Sequence, residues 1–328
     1  MSILILTHAE VERLLPMEEC IGVMTEAMKA LANGQVHNPL RMVVRPPDAA
    51  GLMGLMPSYI GGANAAYGLK AVCVFPQNTA KGKDAHQGTV MLFSAETGEL
   101  LALMNASAIT AIRTAAVSGV ATKLLAREDA GDLALLGSGV QAHTHIEAMA
   151  CARPIRRCRV ASRSFEHAQR FAAEMRARFA FPVEPAESAE AAVRGADLIV
   201  TATNAREPVL KREWISPGAH LNVVGSSIPS TREVDTATMA AASLFVDRRE
   251  STLNEAGDYL FAAKEGAIGP EHIRAEIGEV LVGAKPGRTS PDEITLFKSL
   301  GLAVEDLASA QYVFSKARQV EIGAWVEF

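Results

Sequence analysis

The chain has 328 residues, enough for two domains of ordinary size or one large α/β unit. Hydrophobic residues make up 49% and aromatics only 5%, so the core must be built from Ala, Val, Leu and Ile. A net charge of −5 and a pI near 6.0 speak against a nucleic-acid partner.

The first residues, Met1-Ser2-Ile3-Leu4-Ile5-Leu6, are apolar but brief. They lack a basic start and meet Glu10 and Glu12 almost at once, so they read as a strand and not as a signal peptide. Residues 18–32 predict an amphipathic helix closed by Asn33-Gly34. Strand-like pieces follow at 41–45, 51–56, 68–75 and 87–94, and Thr97-Gly98 turns the last of them into 100–104. This region is antiparallel in character. Residues 107–126 predict a helix rich in small side chains that bridges to a second domain.

From Asp132 onward, strands and helices alternate, as in a parallel sheet covered on both faces. Strands are expected at 133–136, 158–162, 197–202, 220–224 and 244–246, and helices at 141–152, 165–178 and 189–195. Residues 278–291 have the Gly/Pro content of a loop. Residues 304–323 predict a long amphipathic helix which, having no strand after it, should return to the first domain. No uninterrupted run of about 18 apolar residues is present, so no membrane span is expected. Four scattered cysteines without a Cys-x-x-Cys pair suit a reducing cytoplasm, with neither a disulfide frame nor a zinc site.

The most informative stretch is Asp132 to Ala142. A short apolar run enters Gly137-Ser138-Gly139-Val140-Gln141-Ala142, and a helical pattern follows. That order makes a Gly-x-Gly-x-x-Ala dinucleotide turn. Gly137 permits the tight turn, Gly139 clears the approach of a pyrophosphate, and Ala142 lets the helix pack closely. The helix start then faces the phosphates. The next strand ends in Ser162-Arg163-Ser164, with no carboxylate to hold ribose hydroxyls. A cation and two hydroxyls there suit the 2′-phosphate of NADP(H).

Two charged residues stand in apolar surroundings. Arg113 is the only charge between Ala106 and Thr122 and should meet an anion, either a ligand or a structural carboxylate. Lys70 shares a strand face with Val72 and Val74, so it either snorkels at an edge or sits in a cleft with a shifted pKa. Arg41 begins another strand-like piece. His143 and His145, two apart on a helix, point different ways, and the eight histidines predict no metal set.

Ordered matches along nearly the whole chain identify it as similar to the ornithine cyclodeaminase/mu-crystallin family. They are Asn38-Pro39-Leu40-Arg41, Met56-Pro57-Ser58-Tyr59, Gly68-Leu69-Lys70, His86-Gln87-Gly88-Thr89-Val90 and Ile109-Thr110-Ala111-Ile112-Arg113-Thr114-Ala115-Ala116. The glycine turn, Pro217-Gly218-Ala219-His220, Val224-Gly225-Ser226-Ser227-Ile228-Pro229 and Thr295-Leu296-Phe297-Lys298-Ser299-Leu300-Gly301 continue the series.

The resemblance implies a homodimer of α/β subunits. A Rossmann-type parallel-sheet domain (116–302) would be inserted in a mixed α+β substrate-binding and dimerisation domain (1–115 plus 303–328). It also implies that Arg41 and Arg113 clamp a substrate carboxylate and that Lys70 lies beside the reacting nitrogen and carbon. His86, Thr114, Ser162, Arg163, Ser164, Thr201, Ala202, Gly225 and Ser226 would line the cofactor, and Phe297 and Lys298 would close near the nicotinamide.

Two departures bear on chemistry. Cyclodeaminases of the family carry an Asp where this chain has Ser227, and an acid where it has Gly54. The Ser226-Ser227 form resembles the family's reductases. The expected activity is therefore NADPH-dependent reduction of cyclic imino acids, such as 1-pyrroline-2-carboxylate or 1-piperideine-2-carboxylate, to proline or pipecolate. A cyclodeaminase, an alanine-type amino-acid dehydrogenase and an NADPH-dependent small-molecule-binding protein of the mu-crystallin type are the alternatives.

Overall fold

The computed structural model describes residues 2–328, the side chain of Thr79 excepted. The chain divides into two compact units, one running to Thr114 and resumed over Leu302–Phe328, the other Ala115–Gly301.

The first unit is a mixed sheet with helices. Its strands in chain order are β1 (Ser2–Leu6), β2 (Val36–His37), β3 (Met42–Val44), β4 (Leu52–Ile60), β5 (Ala66–Val74), β6 (His86–Ser94) and β7 (Leu100–Asn105), with a closing strand at Ala324–Glu327. Laterally the order is closing strand, β1, β7, β6, β5, β4, β2, and β3 also pairs with β4. Every pairing is antiparallel except β1 with β7.

Helices α1 (His8–Leu14) and α2 (Met17–Ala32) follow β1, and a closing helix spans Ala303–Gln319. Helix α1 escapes a reading based on periodicity because it has only two turns. Its start is nevertheless signalled by Thr7 and Glu10, whose carboxylate accepts the Thr7 N–H at 2.8 Å and hydroxyl at 2.7 Å. The closing helix lies in the first unit, but a strand does follow it. Residues Ala324–Glu327 pair antiparallel with β1, Trp325 lying opposite Leu4. The turn between them uses Gly323 at φ 100°, where an added Cβ would meet Leu4 and Leu6 at 2.7 Å.

Helix α3 (Ala106–Leu125) contains the division between the units. Its 18-residue window reaches a mean hydropathy of 1.2, so by length and composition it could cross a membrane. A search for uninterrupted apolar runs misses it because Arg113 and several Ser and Thr residues punctuate the sequence. With 78% of that window buried inside the protein, it is a core helix.

The second unit is a parallel sheet of eight strands. They are β8 (Asp132–Leu136), β9 (Arg157–Ala161), β10 (Val183–Pro185), β11 (Leu198–Thr201), β12 (His220–Val223), β13 (Ser243–Val246), β14 (Ile273–Glu276) and β15 (Thr295–Lys298). Their lateral order is β10-β9-β8-β11-β12-β15-β13-β14. Helices α4 (Val140–Ala152), α5 (Phe165–Arg176) and α6 (Ala189–Val193) connect the first strands. The chain winds outward from β8 to β10 and then crosses to β11, which makes a topological switch point between β8 and β11.

Leu136, Ala161, Thr201, Val223 and Lys298 stand level at the carboxyl ends of their strands. Strands β10, β14 and β15 are too short for a pattern of two to register. A fully buried four-residue run such as Thr295–Lys298 has no polar face to alternate with. The expected loop at 278–291 begins inside a short helix, Ile277–Leu281.

Candidate active site

In the first unit the decisive feature is a buried set of opposite charges. Lys70 lies on β5, opposite Met56 of β4 and Val90 of β6, with its side chain on the face that carries Val72. The closing helix packs on that face because Gly68 has no side chain: an added Cβ would lie 2.8 Å from Cδ1 of Leu307. Asn38 fixes the helix start by accepting the Val304 N–H at 2.8 Å. Glu305 and Asp306, in the first turn, then face inward.

Asp306 Oδ2 lies 2.7 Å from Lys70 Nζ, and Asp306 Oδ1 accepts Arg113 Nε at 3.0 Å. Glu305 Oε2 accepts Arg113 Nη1 at 2.6 Å. Lys70, Arg113, Glu305 and Asp306 are at most 4% exposed. Lys70 Nζ also donates to Thr110 Oγ1 at 3.5 Å. Of the two fates the sequence left open for Lys70, the cleft is realised and snorkelling is not. For Arg113, two guanidinium nitrogens are already held by the protein's own carboxylates.

Burial pushes the Lys70 amine down from its ordinary value. The Asp306 charge pulls it back up, and the Arg113 and Arg41 charges push it down again, leaving it at about 8. An amine poised there can both hold and give a proton near neutrality. Burial lowers the Arg113 pKa, but Asp306 and Glu305 outweigh that and raise it, so the guanidinium stays charged. Arg41 adds its charge to the surroundings of Lys70.

His86 opens β6 with its carbonyl accepting the Ser107 hydroxyl, and Thr114 Oγ1 donates to Thr110 O at 2.7 Å. Both belong to the first unit. Gly54 lies on β4 between Val43 and Val72, on the same sheet face as Met56.

In the second unit the glycine turn has the geometry a pyrophosphate needs. Gly137 follows β8 at φ 116°, and a Cβ there would lie 2.5 Å from the Ala202 carbonyl oxygen. An added Cβ at Gly139 would meet nothing within 4 Å, so the approach to the start of α4 is open. That helix has 13 residues and no acid in its first turn. Val140 and Gln141 open it, and Ser138 Oγ lies 2.9 Å from Ser162 Oγ, which ties the turn to the end of β9. Arg163 is exposed, and Ser164 precedes α5 as its cap residue.

A buried carboxylate that sequence reasoning missed holds the neighbouring loops. Glu233 accepts Thr201 Oγ1 at 2.8 Å, Thr203 N–H at 2.6 Å, Thr203 Oγ1 at 2.7 Å and Gly225 N–H at 2.6 Å. Thr201, Ala202 and Gly225 thus stand together at the ends of β11 and β12. Ser226, fully buried, bonds through its hydroxyl to the Thr231 carbonyl at 2.5 Å, and Ser227 beside it is half-buried.

Lys298 is held by the protein's own groups. Phe297 and Lys298 are both 0% exposed on β15, and the Lys298 ammonium lies 3.1 Å from Asp258 and donates to the Val223 carbonyl at 3.2 Å. It braces the ends of β12 and β15. Glu305 and Asp306 were missed because they look like the acidic first turn of any helix. The available signal was their setting, Ala303-Val304-Glu305-Asp306-Leu307-Ala308, two acids inside an apolar stretch.

Comparison with known proteins accords with both units. A family model described as the ornithine cyclodeaminase/mu-crystallin family matches residues 1–321. Ketimine reductase mu-crystallin of Mus musculus is 42% identical over 291 residues, covering 87% of this chain and 88% of the mouse protein. The structure of Thermococcus litoralis Delta(1)-pyrroline-2-carboxylate reductase with NADH and L-proline superposes with a TM-score of 0.96 at 40% identity, over 99% of this chain and all of that one. An archaeal alanine dehydrogenase dimer with bound NAD gives 0.94 at 34% identity over the full length of both chains.

Proposed function

The chain belongs to the ornithine cyclodeaminase/mu-crystallin family, and we propose that within it this protein is an NADPH-dependent reductase of cyclic ketimines that carry a carboxylate, such as 1-pyrroline-2-carboxylate. The observation that carries this reading is Lys70, a buried amine held by Asp306 with its pKa at about 8. Arg41 and Arg113 would hold a substrate carboxylate there and fix the plane of the C=N bond. Lys70 then donates its proton to the imine nitrogen, whose electron pair is freed as the carbon is reduced. NADPH, when bound, would supply the hydride for that carbon, being oxidised to NADP⁺.

The names of the relatives support the substrate class, since the mouse protein is a ketimine reductase and the archaeal one a pyrroline-2-carboxylate reductase. Ser227 and Gly54, in place of carboxylates, favour reduction over ammonia loss. Arg163, exposed at the end of β9 with no carboxylate beside it, favours the 2′-phosphate of NADPH over the free ribose of NADH. A homodimer is supported by the apolar side chains of β3, where Met42, Val43 and Val44 are 59%, 49% and 48% exposed, and by the dimeric alanine dehydrogenase. Four free thiols suit a reducing cytoplasm.

The test is a panel of 1-pyrroline-2-carboxylate, 1-piperideine-2-carboxylate, pyruvate with ammonia, and ornithine, each with NADPH and with NADH. The cyclic imines with NADPH should be turned over fastest. Faster use of pyruvate and ammonia, or ammonia release from ornithine without added reductant, would contradict the reading.

A further inference from the structure

The carboxylate that touches Lys70 does more than neutralise it. Asp306 spans two cations, with Oδ2 at 2.7 Å from the Lys70 amine and Oδ1 at 3.0 Å from Arg113 Nε. Glu305 holds a different nitrogen of Arg113. We infer that Asp306 is a positioning residue for ketimine reduction: it locks the Lys70 ammonium and the Arg113 guanidinium into one arrangement and keeps the proton on Lys70 until substrate takes it. The inference rests on Lys70 being the proton donor.

The charges around Lys70 show why this carboxylate is needed. The closing helix presents Asp306 and Glu305, α3 presents Arg113, the segment before β3 presents Arg41, and β6 presents His86 at its start. The facing strand residues, Met56 and Val90, are neutral. Burial and the two arginines drive the amine towards its neutral form, and Asp306 opposes them through both its charge and its hydrogen bond. Its second oxygen stays on Arg113, so the carboxylate is not left without a cation when Lys70 gives up its proton. It can therefore hold the neutral amine in place for reprotonation.

The experiment follows the titration of Lys70 directly, by NMR of lysine labelled with ¹³C at Cε in the full-length protein, the Lys70 signal being assigned from its absence in Lys70→Arg. Asp306→Asn should lower the Lys70 midpoint by about one pH unit or more. The alkaline fall of kcat should move with it, and the lost rate should return at lower pH. Glu305→Gln, which spares the bridging carboxylate, should leave the midpoint nearly where it is.

An unmoved Lys70 midpoint in Asp306→Asn overturns the inference, even where the imine is reduced through Lys70. A midpoint that moves while reduction is indifferent to Lys70 upholds the hold on the amine and sinks the proton-donor reading instead. If Asp306→Asn does not fold, Lys70→Met/Asp306→Asn removes both charges of the pair and should recover a folded protein. A double variant no better folded than the single one also overturns the inference.

Discussion

At the scale of single residues, the two arginines of the proposed carboxylate clamp differ in what else they do. Arg113 pairs with two buried carboxylates, so Arg113→Met takes a cation from both and leaves Asp306 with Lys70. It should cost on the order of 3–5 kcal/mol of stability, read by denaturant or thermal unfolding, before any effect on substrate. Arg41 is partly exposed on the segment before β3 and gives the cleaner test. Arg41→Met removes a charge-assisted contact and should lower kcat/KM about 10- to 150-fold, with the unfolding midpoint and NADPH affinity largely kept. Normal efficiency in a folded Arg41→Met protein would remove it from the clamp.

Two histidines set a separate pH dependence, one of stability. His145 bonds to the Gln141 carbonyl at 2.7 Å and to Ser118 Oγ at 3.0 Å, and His220 to Thr295 Oγ1 at 2.9 Å. Burial holds them neutral, with pKa values lowered to about 4 and about 3. Below the ordinary histidine pKa the unfolded chain takes up protons that the folded chain refuses. Stability should therefore fall as pH drops from about 6.5 towards 4, by a few kcal/mol in all. His145→Gln should make the slope shallower; an unchanged slope would contradict this account.

At the scale of elements, the chemistry depends on how near the closing helix lies to β5, and Gly68 sets that distance. In Gly68→Ala the added Cβ would sit 2.8 Å from Leu307 Cδ1 and 3.1 Å from Leu307 Cβ. The cost should be roughly 1–3 kcal/mol of stability. Because Asp306 is the residue before Leu307, kcat should fall too, while cofactor affinity stays. Unaltered kcat would show that the helix can shift without disturbing the pair.

The sequence disclosed such elements unevenly, for physical reasons. The glycine turn was legible because backbone geometry admits few alternatives at Gly137, whose φ is 116°. Lys70 and Arg113 were legible as charges in apolar runs. Asp306 and Glu233 were not, since a carboxylate near a helix start or in a loop is commonplace and only the folded chain brings it to its partners. The closing strand was missed because its four residues are all exposed and have no apolar alternation to betray them.

At the scale of the whole molecule, the proposed dimer and cofactor preference are each open to one substitution. Val44→Glu places a charge on the side of β3 that also carries the exposed Met42 and should yield monomers by sedimentation; an intact dimer would point to another interface. Arg163→Ala should cut the preference for NADPH over NADH by about tenfold, the loss of one exposed charge contact to phosphate.

The most direct measurement is the pH dependence of kcat/KM for 1-pyrroline-2-carboxylate reduction at saturating NADPH, compared between the unaltered protein and Lys70→Met. If Lys70 supplies the proton, kcat/KM in the unaltered protein holds on the acid side and falls as pH rises through about 8, where the buried amine loses its charge. In Lys70→Met that limb disappears and the rate is low throughout. A rate that stays level well above pH 8, or a folded Lys70→Met protein that reduces the imine at a near-normal rate, would contradict the account.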